Sequence, residues 1–306
     1  MTPVDLAASV RARLLKGARE RHEEFQRVLD RFAVERLLYR ISQSPEADRF
    51  VLKGAQLFVV WTSDVLRPTR DLDLLCFGDW PPEQLESYFR RLCTLAVAPD
   101  GLVFDAGSVE VRVVRQDRRY QGHRLKLRGR LGKARVTVQI DIGHGDVVTP
   151  EPVAFPTLLA DLPPPRLKAY PPEALVAEKF AAMVEYGDAN SRMKDYFDLD
   201  FLARDRAFEG ARLAPAIGAT FRRHGHALPE GIPAGLRDEW AKGPIREELW
   251  RGFTRSLGPD FHGTVLADVV GRLRAFLLPP LDALRIGGPW DARWPPGGPW
   301  SASRSG

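Results

Sequence analysis

Apolar and polar positions alternate with a period that changes along the chain. From residue 4 to 40 the apolar positions, among them Leu14, Leu15, Phe25, Val28, Leu29 and Phe32, are spaced by three, four and seven, which predicts helix. Phe50 to Leu57 and Phe58 to Trp61 follow as short apolar runs, and Thr69 to Phe77 reads as a strand. Pro81 and Pro82 open a predicted helix from Glu83 to Ala96, since a first-turn proline gives up an N–H that would be unpaired there anyway. Between Leu102 and Gly143 the period falls to two. Val109, Val111 and Val113 share a face, as do Leu125 and Leu127, and Gly129 to Lys133 supplies a turn. Ala134 to Gly143 is the clearest strand: Val136, Val138, Ile140 and Ile142 face one way, Thr137, Gln139 and Asp141 the other. Such hairpin signals predict an antiparallel or mixed sheet.

The second half reads differently. Pro150 to Pro172 is proline-rich, cannot be helical and is expected to cross between lobes. A helix is predicted from Glu173 to about Tyr186, stopping at Gly187, and another from Asn190 or Ser191 through Leu202. The chain stays helix-rich to about Leu284. The pattern divides it into a sheet-bearing lobe, 1–150, a helical lobe, 151–286, and a tail, 287–306, biased to Gly, Pro and Trp. Flexibility is the expectation for that tail, although Trp290, Trp294 and Trp300 would suit docking onto the body.

Composition narrows the classes. With 306 residues and 44% hydrophobic content the chain is not disordered as a whole, and its length suits about two domains. Its 2 cysteines exclude a disulfide framework and a cysteine-based zinc site. The N-terminal stretch is charged from Arg11 onward, unlike a signal peptide, and no apolar run is long enough to span a bilayer. A cytoplasmic protein without a membrane partner is expected. The net charge is only +5, but it is concentrated: from Arg112 to Arg135 Lys and Arg dominate and Asp117 is the only acid. That block suits a polyanion, and equally a solvated hairpin.

Candidate chemistry starts at Asp71-Leu72-Asp73. On a strand, residues two apart point the same way, so two like charges stand together, and a divalent cation is the usual compensation. Ion pairs with Arg67 and Arg70 are the plainer alternative. Asp141 would add a third carboxylate if its strand lies beside the first, and three such groups can hold two metal ions for phosphoryl or nucleotidyl transfer. Lys53-Gly54-Ala55-Gln56 forms a small-residue turn that could present backbone N–H groups to a phosphate. Lys179 borders the apolar stripe of its helix, where it either snorkels or meets a phosphate as a point charge. Asp195 and Asp198 fall on a face that should be buried and therefore need cationic partners, with Lys179 and Arg192 as candidates. The histidines show no H-x-x-x-H or other metal-ligand spacing; His144 lies nearest the acids, and His224 and His226 flank Gly225.

The order of these blocks is more specific than any one of them. K-G-A-Q-L, R-x-x-R-D-L-D-L, I-D-I-G-x-G-D, E-A-L-V-A-E-K-F-A-A-M and N-S-R-M-K-D-Y-F-D-L together resemble the AbiEii nucleotidyltransferase toxins, related to the MenT toxins, from about Phe50 to Leu202. The resemblance implies an α+β fold of the DNA polymerase β-like nucleotidyltransferase type, a mixed sheet with flanking helices followed by a helical lobe. It implies Mg2+ and an NTP co-substrate, an RNA acceptor (tRNA), a block on translation, a role in phage defence and a cognate AbiEi-like antitoxin. Residue by residue it assigns Asp71, Asp73 and Asp141 to metal binding, Lys179 to the nucleotide, and Asp195 and Asp198 to the last catalytic motif, while Lys53 and Gly54 are nucleotide-binding candidates from their small-residue turn. One departure stands out: Ala55-Gln56 replaces the family's usual Gly-Thr or Ser after the glycine. Two other readings stay open, a catalytically degenerate nucleotide- or RNA-binding regulator and a small-molecule or protein adenylyltransferase.

Overall fold

The computed structural model describes residues 3–62, 67, 69, 71–115, 121–258, 261–288 and 290–302. Arg70, Asp117, Arg118, Arg119, Pro289 and the last four residues of the tail lie outside the described residues. The chain divides into two compact units, one of Met1–Asp146 with Pro150–Tyr170, the other of Val147–Thr149 with Pro171–Gly306.

In the first unit, helices α1 (Pro3–Glu20) and α2 (Phe25–Ser42) replace the single helical stretch the spacing suggested. His22 breaks it with a left-handed φ of 55°. Then follow β1 (Phe50–Lys53), α3 (Gln56–Thr62), β2 (Asp71–Cys76), α4 (Pro82–Thr94), β3 (Leu102–Arg115), β4 (Gln121–Leu131), β5 (Ala134–His144), β6 (Glu151–Ala154) and β7 (Arg166–Ala169). The seven strands form one mixed sheet in the order β3-β4-β5-β2-β1-β7-β6. The β2/β5 and β1/β7 pairs are parallel and the rest antiparallel.

Two sequence expectations change here. Gly129 is not in the turn but in β4, opposite Val136, because the Phe104 ring packs onto it; a Cβ there would lie 2.9 Å from that ring. The turn shrinks to Gly132-Lys133. The proline-rich segment 151–170, placed by its composition with the helical lobe, belongs to the first unit, because β7 pairs with β1 and β6 with β7.

One face of the sheet is apolar. Phe50 stacks on Tyr88 of α4 at 4.8 Å between ring centroids and meets Phe89 edge-on at 6.0 Å. Helix α2 is buried almost all round from Phe32 to Ile41, so its charges need partners. Arg36 and Arg40 both donate to Asp100, and Arg36 donates to Glu35. Burial is the main force on Glu35, lifting its carboxyl to about 6, although the Leu158 N–H and Arg36 oppose the shift.

The second unit holds α5 (Pro172–Tyr186), α6 (Met193–Asp205), β8 (Phe208–Glu209), α7 (Gly210–His224), α8 (Asp238–Ala241), α9 (Pro244–Leu257), α10 (Leu266–Ile286), β9 (Ala292–Trp294) and β10 (Ser301–Ala302). Residues 290–302 of its tail pack onto the unit, where composition alone suggested flexibility. β9 pairs with both β8 and β10, and Trp294 is buried with its indole N–H donating to Ala203 O at 2.7 Å. Trp300 donates to Phe276 O at 2.9 Å and packs at 4.6 Å from Trp290. Apolar ring area and satisfied indole donors outweigh the cost of ordering a glycine-rich segment. Trp300→Ala, which removes one ring contact set and one hydrogen bond, should lower the stability of this unit by about 1–2 kcal/mol in denaturant titration. A change below a few tenths would mean that the tail carries no energy.

Candidate active site

The polar face of the sheet opposes the α4-covered face, and its side chains follow from strand register. Lys53 on β1 is the partner of Asp73 on β2, Asp73 of Asp141 on β5, Asp141 of Arg124 on β4, and Arg124 of Arg112 on β3. One row across five strands thus reads cation, acid, acid, cation, cation. The next row holds Asp71, Gln139, Lys126 and Glu110. The row on the other side of Asp73 includes Gly143, the partner of Leu75, so an open pocket is lined by Lys53, Asp73, Asp141 and Arg124 around Gly122 and Gly143.

The backbone holds Asp73 closely. Gly54 follows β1 at a φ of 69°, and a Cβ built on it would lie 2.1 Å from Asp73 Oδ2. Only glycine satisfies both the left-handed backbone and this approach. Gly54→Ala should therefore push the Asp73 carboxylate off its position and cost about 1–3 kcal/mol of stability. Thermal unfolding together with a transfer assay checks this, and unchanged values of both would refute the close approach. Lys53 itself donates to Asp146 Oδ2 at 2.7 Å, and the same oxygen accepts the Tyr170 hydroxyl at 2.6 Å.

The carboxylates differ in their engagements. Arg124 grips Asp141 with two hydrogen bonds, both 2.8 Å. Gln139 donates to Asp71 at 2.7 Å. Among the described residues the one set of three ligand groups within 4.8 Å of each other lies elsewhere, at Glu185, His224 and His226. The field of the acids converges nonetheless. Arg124 is raised above its ordinary value first by its hydrogen bond to Asp141, then by the charges of Asp141, Asp71 and Asp73. A site whose acids jointly hold one cation has the donor chemistry for a divalent ion, so these residues fit a metal.

In the sequence Arg124 is only one of the basic block, and Asp146 and Tyr170 are not among the candidates it offers. Asp146 does close the I-D-I-G-x-G-D block, and a signal for Arg124 exists in the alternation of β4. Of the basic block, Arg112, Arg124, Lys126, Arg128, Arg130 and Arg135 occupy the polar face, with Lys126, Arg128 and Arg130 exposed. Val109, Leu125 and Leu127 are buried, whereas Val111 and Val113 are not. His144 faces the apolar side and meets His123 at 2.9 Å, away from the acid row. Burial and the neighbouring His144 push the His123 imidazole below its usual value.

Lys179, Asp195 and Asp198 belong to the second unit and form a cluster of their own. Lys179 on α5 meets Asp195 at 2.6 Å and Asp198 at 2.8 Å, and Arg192 meets Asp195 at 2.5 Å. Both carboxylates are at most 2% exposed as side chains, and Lys179 is 11% exposed. Burial pushes the Asp195 carboxyl up, but the charges of Lys179 and Arg192 win and hold it at about 2.

A mixed sheet with two adjacent strands presenting carboxylates beside a glycine turn, and a helical unit after it, is the arrangement that the order of the sequence motifs led one to expect. The profile of the nucleotidyl transferase AbiEii toxins of type IV toxin–antitoxin systems matches residues 36–271, and the chain belongs to that family. No curated protein matches it. Similar solved structures include MenT4, a nucleotidyltransferase toxin from Mycobacterium tuberculosis, at 19% identity, 90% coverage of this chain and 98% of that one, with a TM-score of 0.48. JHP933 from Helicobacter pylori is 13% identical, with 82% and 90% coverage and a TM-score of 0.46. Among the described residues no helix is long and apolar enough to cross a membrane.

Proposed function

We propose that this nucleotidyltransferase toxin moves NMP from an NTP to the 3′-hydroxyl of an RNA, with tRNA as the acceptor, and thereby blocks translation in the cytoplasm. The attacking 3′-oxygen forms a bond to the α-phosphorus, the bond from that phosphorus to the bridging oxygen breaks, and pyrophosphate leaves with that oxygen. The observation that carries the reading is the pairing of Asp73 with Asp141 on parallel neighbouring strands, facing one pocket with Lys53 and Arg124. Asp71, Asp73 and Asp141 would hold Mg2+. When bound there, the ion neutralises the polyphosphate and favours the ionised form of the attacking hydroxyl.

The chain's own residues do the rest. Arg124, drawn away from Asp141 by the phosphates, exchanges a bidentate carboxylate for a bidentate phosphate contact, for which its planar fork is equally suited. Lys53 and the turn at Gly54 would border the triphosphate, and Gly122 and Gly143, which carry no side chains, line the same pocket as Lys53. The exposed comb of Lys126, Arg128 and Arg130 offers successive cations to an RNA backbone. Lys179 is assigned its phosphate-neutralising role, with Asp195 and Asp198 as positioning partners, on family membership alone. The AbiEi-like antitoxin expected as a partner need not touch these residues.

Purified protein with total tRNA, Mg2+ and each α-labelled NTP in turn tests the reading. Label should enter a tRNA band with one or more nucleotides and vanish with EDTA. Retention of tRNA without transfer would favour the degenerate regulator, and transfer to another acceptor the adenylyltransferase.

A further inference from the structure

Glu185 lies in the last turn of α5, His224 is the final residue of α7, and His226 follows two positions later. Gly225 between the histidines caps α7 in the left-handed region, φ 64° and ψ 24°, with its N–H on Arg222 O. The His226 N–H returns to Phe221 O at 2.9 Å, which closes the cap. This sharp turn brings both imidazoles to one side of the helix end, with ring centroids 5.8 Å apart. Helix α5 lies alongside, joined through Phe180 and Phe221 at 5.6 Å, and brings Glu185 Oε2 to 3.6 Å from His226 Nε2. One ligand atom from each of the three residues lies within 4.8 Å of the other two.

We propose that Glu185, His224 and His226 form a Zn2+ site, separate from the acid row of the first unit, that clamps the end of α5 to the end of α7. The donor set decides the metal. Two imidazole nitrogens and one carboxylate oxygen match zinc, whereas Mg2+ prefers oxygen ligands and retains its water. An imidazole binds a metal through the lone pair of one ring nitrogen, and each histidine brings one such atom to the cluster. Three protein ligands leave a fourth position to water. The sequence hides the site, because its ligands combine an H-x-H pair with a glutamate 39 positions earlier than His224.

The test titrates Zn2+ into the full chain in excess Mg2+, using Asp73→Ala, Asp141→Ala protein so that the acid row does not compete. Calorimetry should give one equivalent bound with a Kd in the micromolar range or tighter, and the unfolding temperature should rise with Zn2+. His226→Gln or Glu185→Gln should weaken binding at least ten-fold and remove the temperature rise, while circular dichroism stays that of the parent. Co2+ in place of Zn2+ should give the visible bands of a four-coordinate site, lost in His224→Gln. Stoichiometric binding that survives all three substitutions, or no binding at 100-fold Zn2+ excess over a ~1 µM protein sample, overturns the site.

Discussion

Asp73→Asn should abolish nucleotidyl transfer, lowering kcat on the order of 1,000-fold, while the protein stays folded. The substitution keeps the shape of a side chain pressed against Gly54 and removes a charge from a face that also holds Asp141 in the same row and Asp71 in the next. Repulsion from those like charges is relieved while attraction to the neighbouring Lys53 is lost, so stability should change by no more than about 1 kcal/mol. The chemistry fares differently, since a neutral amide neither balances a divalent cation nor attracts it. Initial rates with the labelled nucleotide, beside urea unfolding of the same preparation, check both halves. Activity within ten-fold of the parent would sink the assignment of Asp73. Asp141→Asn is a useful companion, but it also releases Arg124 from its bidentate partner, so a fall in its activity must be read against Arg124→Met.

Lys179→Met should cost the second unit about 3–5 kcal/mol, because a buried pair that loses one partner keeps an uncompensated charge. Here two carboxylates, Asp195 and Asp198, meet that one ammonium. Arg192 still faces Asp195, which sets the loss toward the lower end of that range. Adding Asp195→Asn and Asp198→Asn to the variant should recover most of the stability, since replacing a whole buried ion cluster is far cheaper than halving it. The rescued triple variant then separates two roles. If Lys179 neutralises the phosphates, transfer stays lost after stability returns; if the lysine is a structural ion pair only, activity returns with the fold.

The same cluster sets a pH dependence. The folded Asp195 carboxyl is held at about 2, below its ordinary 3.8, so its stabilising contribution is complete above about pH 4 and disappears as pH falls toward 2. Acid unfolding of the second unit should follow that window, and Asp195→Asn should flatten it. Glu35 acts the other way. Its folded carboxyl sits near 6 against an ordinary 4.5, so its contribution is complete below about pH 4.5 and is lost as pH rises through 6.

Much of the site was legible because it depends on local periodicity. Asp71 and Asp73 share a face because a strand repeats every two residues, and Asp141 stands on the polar side of β5 for the same reason. Asp195 and Asp198 announced their need for partners by falling on a buried helical stripe. Less was legible wherever the outcome depended on which segments pack together. Gly129 reads as a turn residue until Phe104 arrives from another strand. The Gly/Pro/Trp tail reads as loose until its indoles meet Phe276 and Ala203. Residues 151–170 join the first unit through backbone pairing between strands, which side-chain composition does not encode.

By itself, then, the sequence determined the types of element, the faces on which the acids stand and the family order of the motifs, all set by short-range steric repeats and burial demand. The tertiary structure alone decided that Asp73 lies opposite Asp141, that Arg124 takes both oxygens of Asp141, that Gly54 must stay glycine, and that Glu185 joins two histidines. These are contacts between residues distant along the chain, and their geometry exists only once strand register and helix packing have been settled by the whole core.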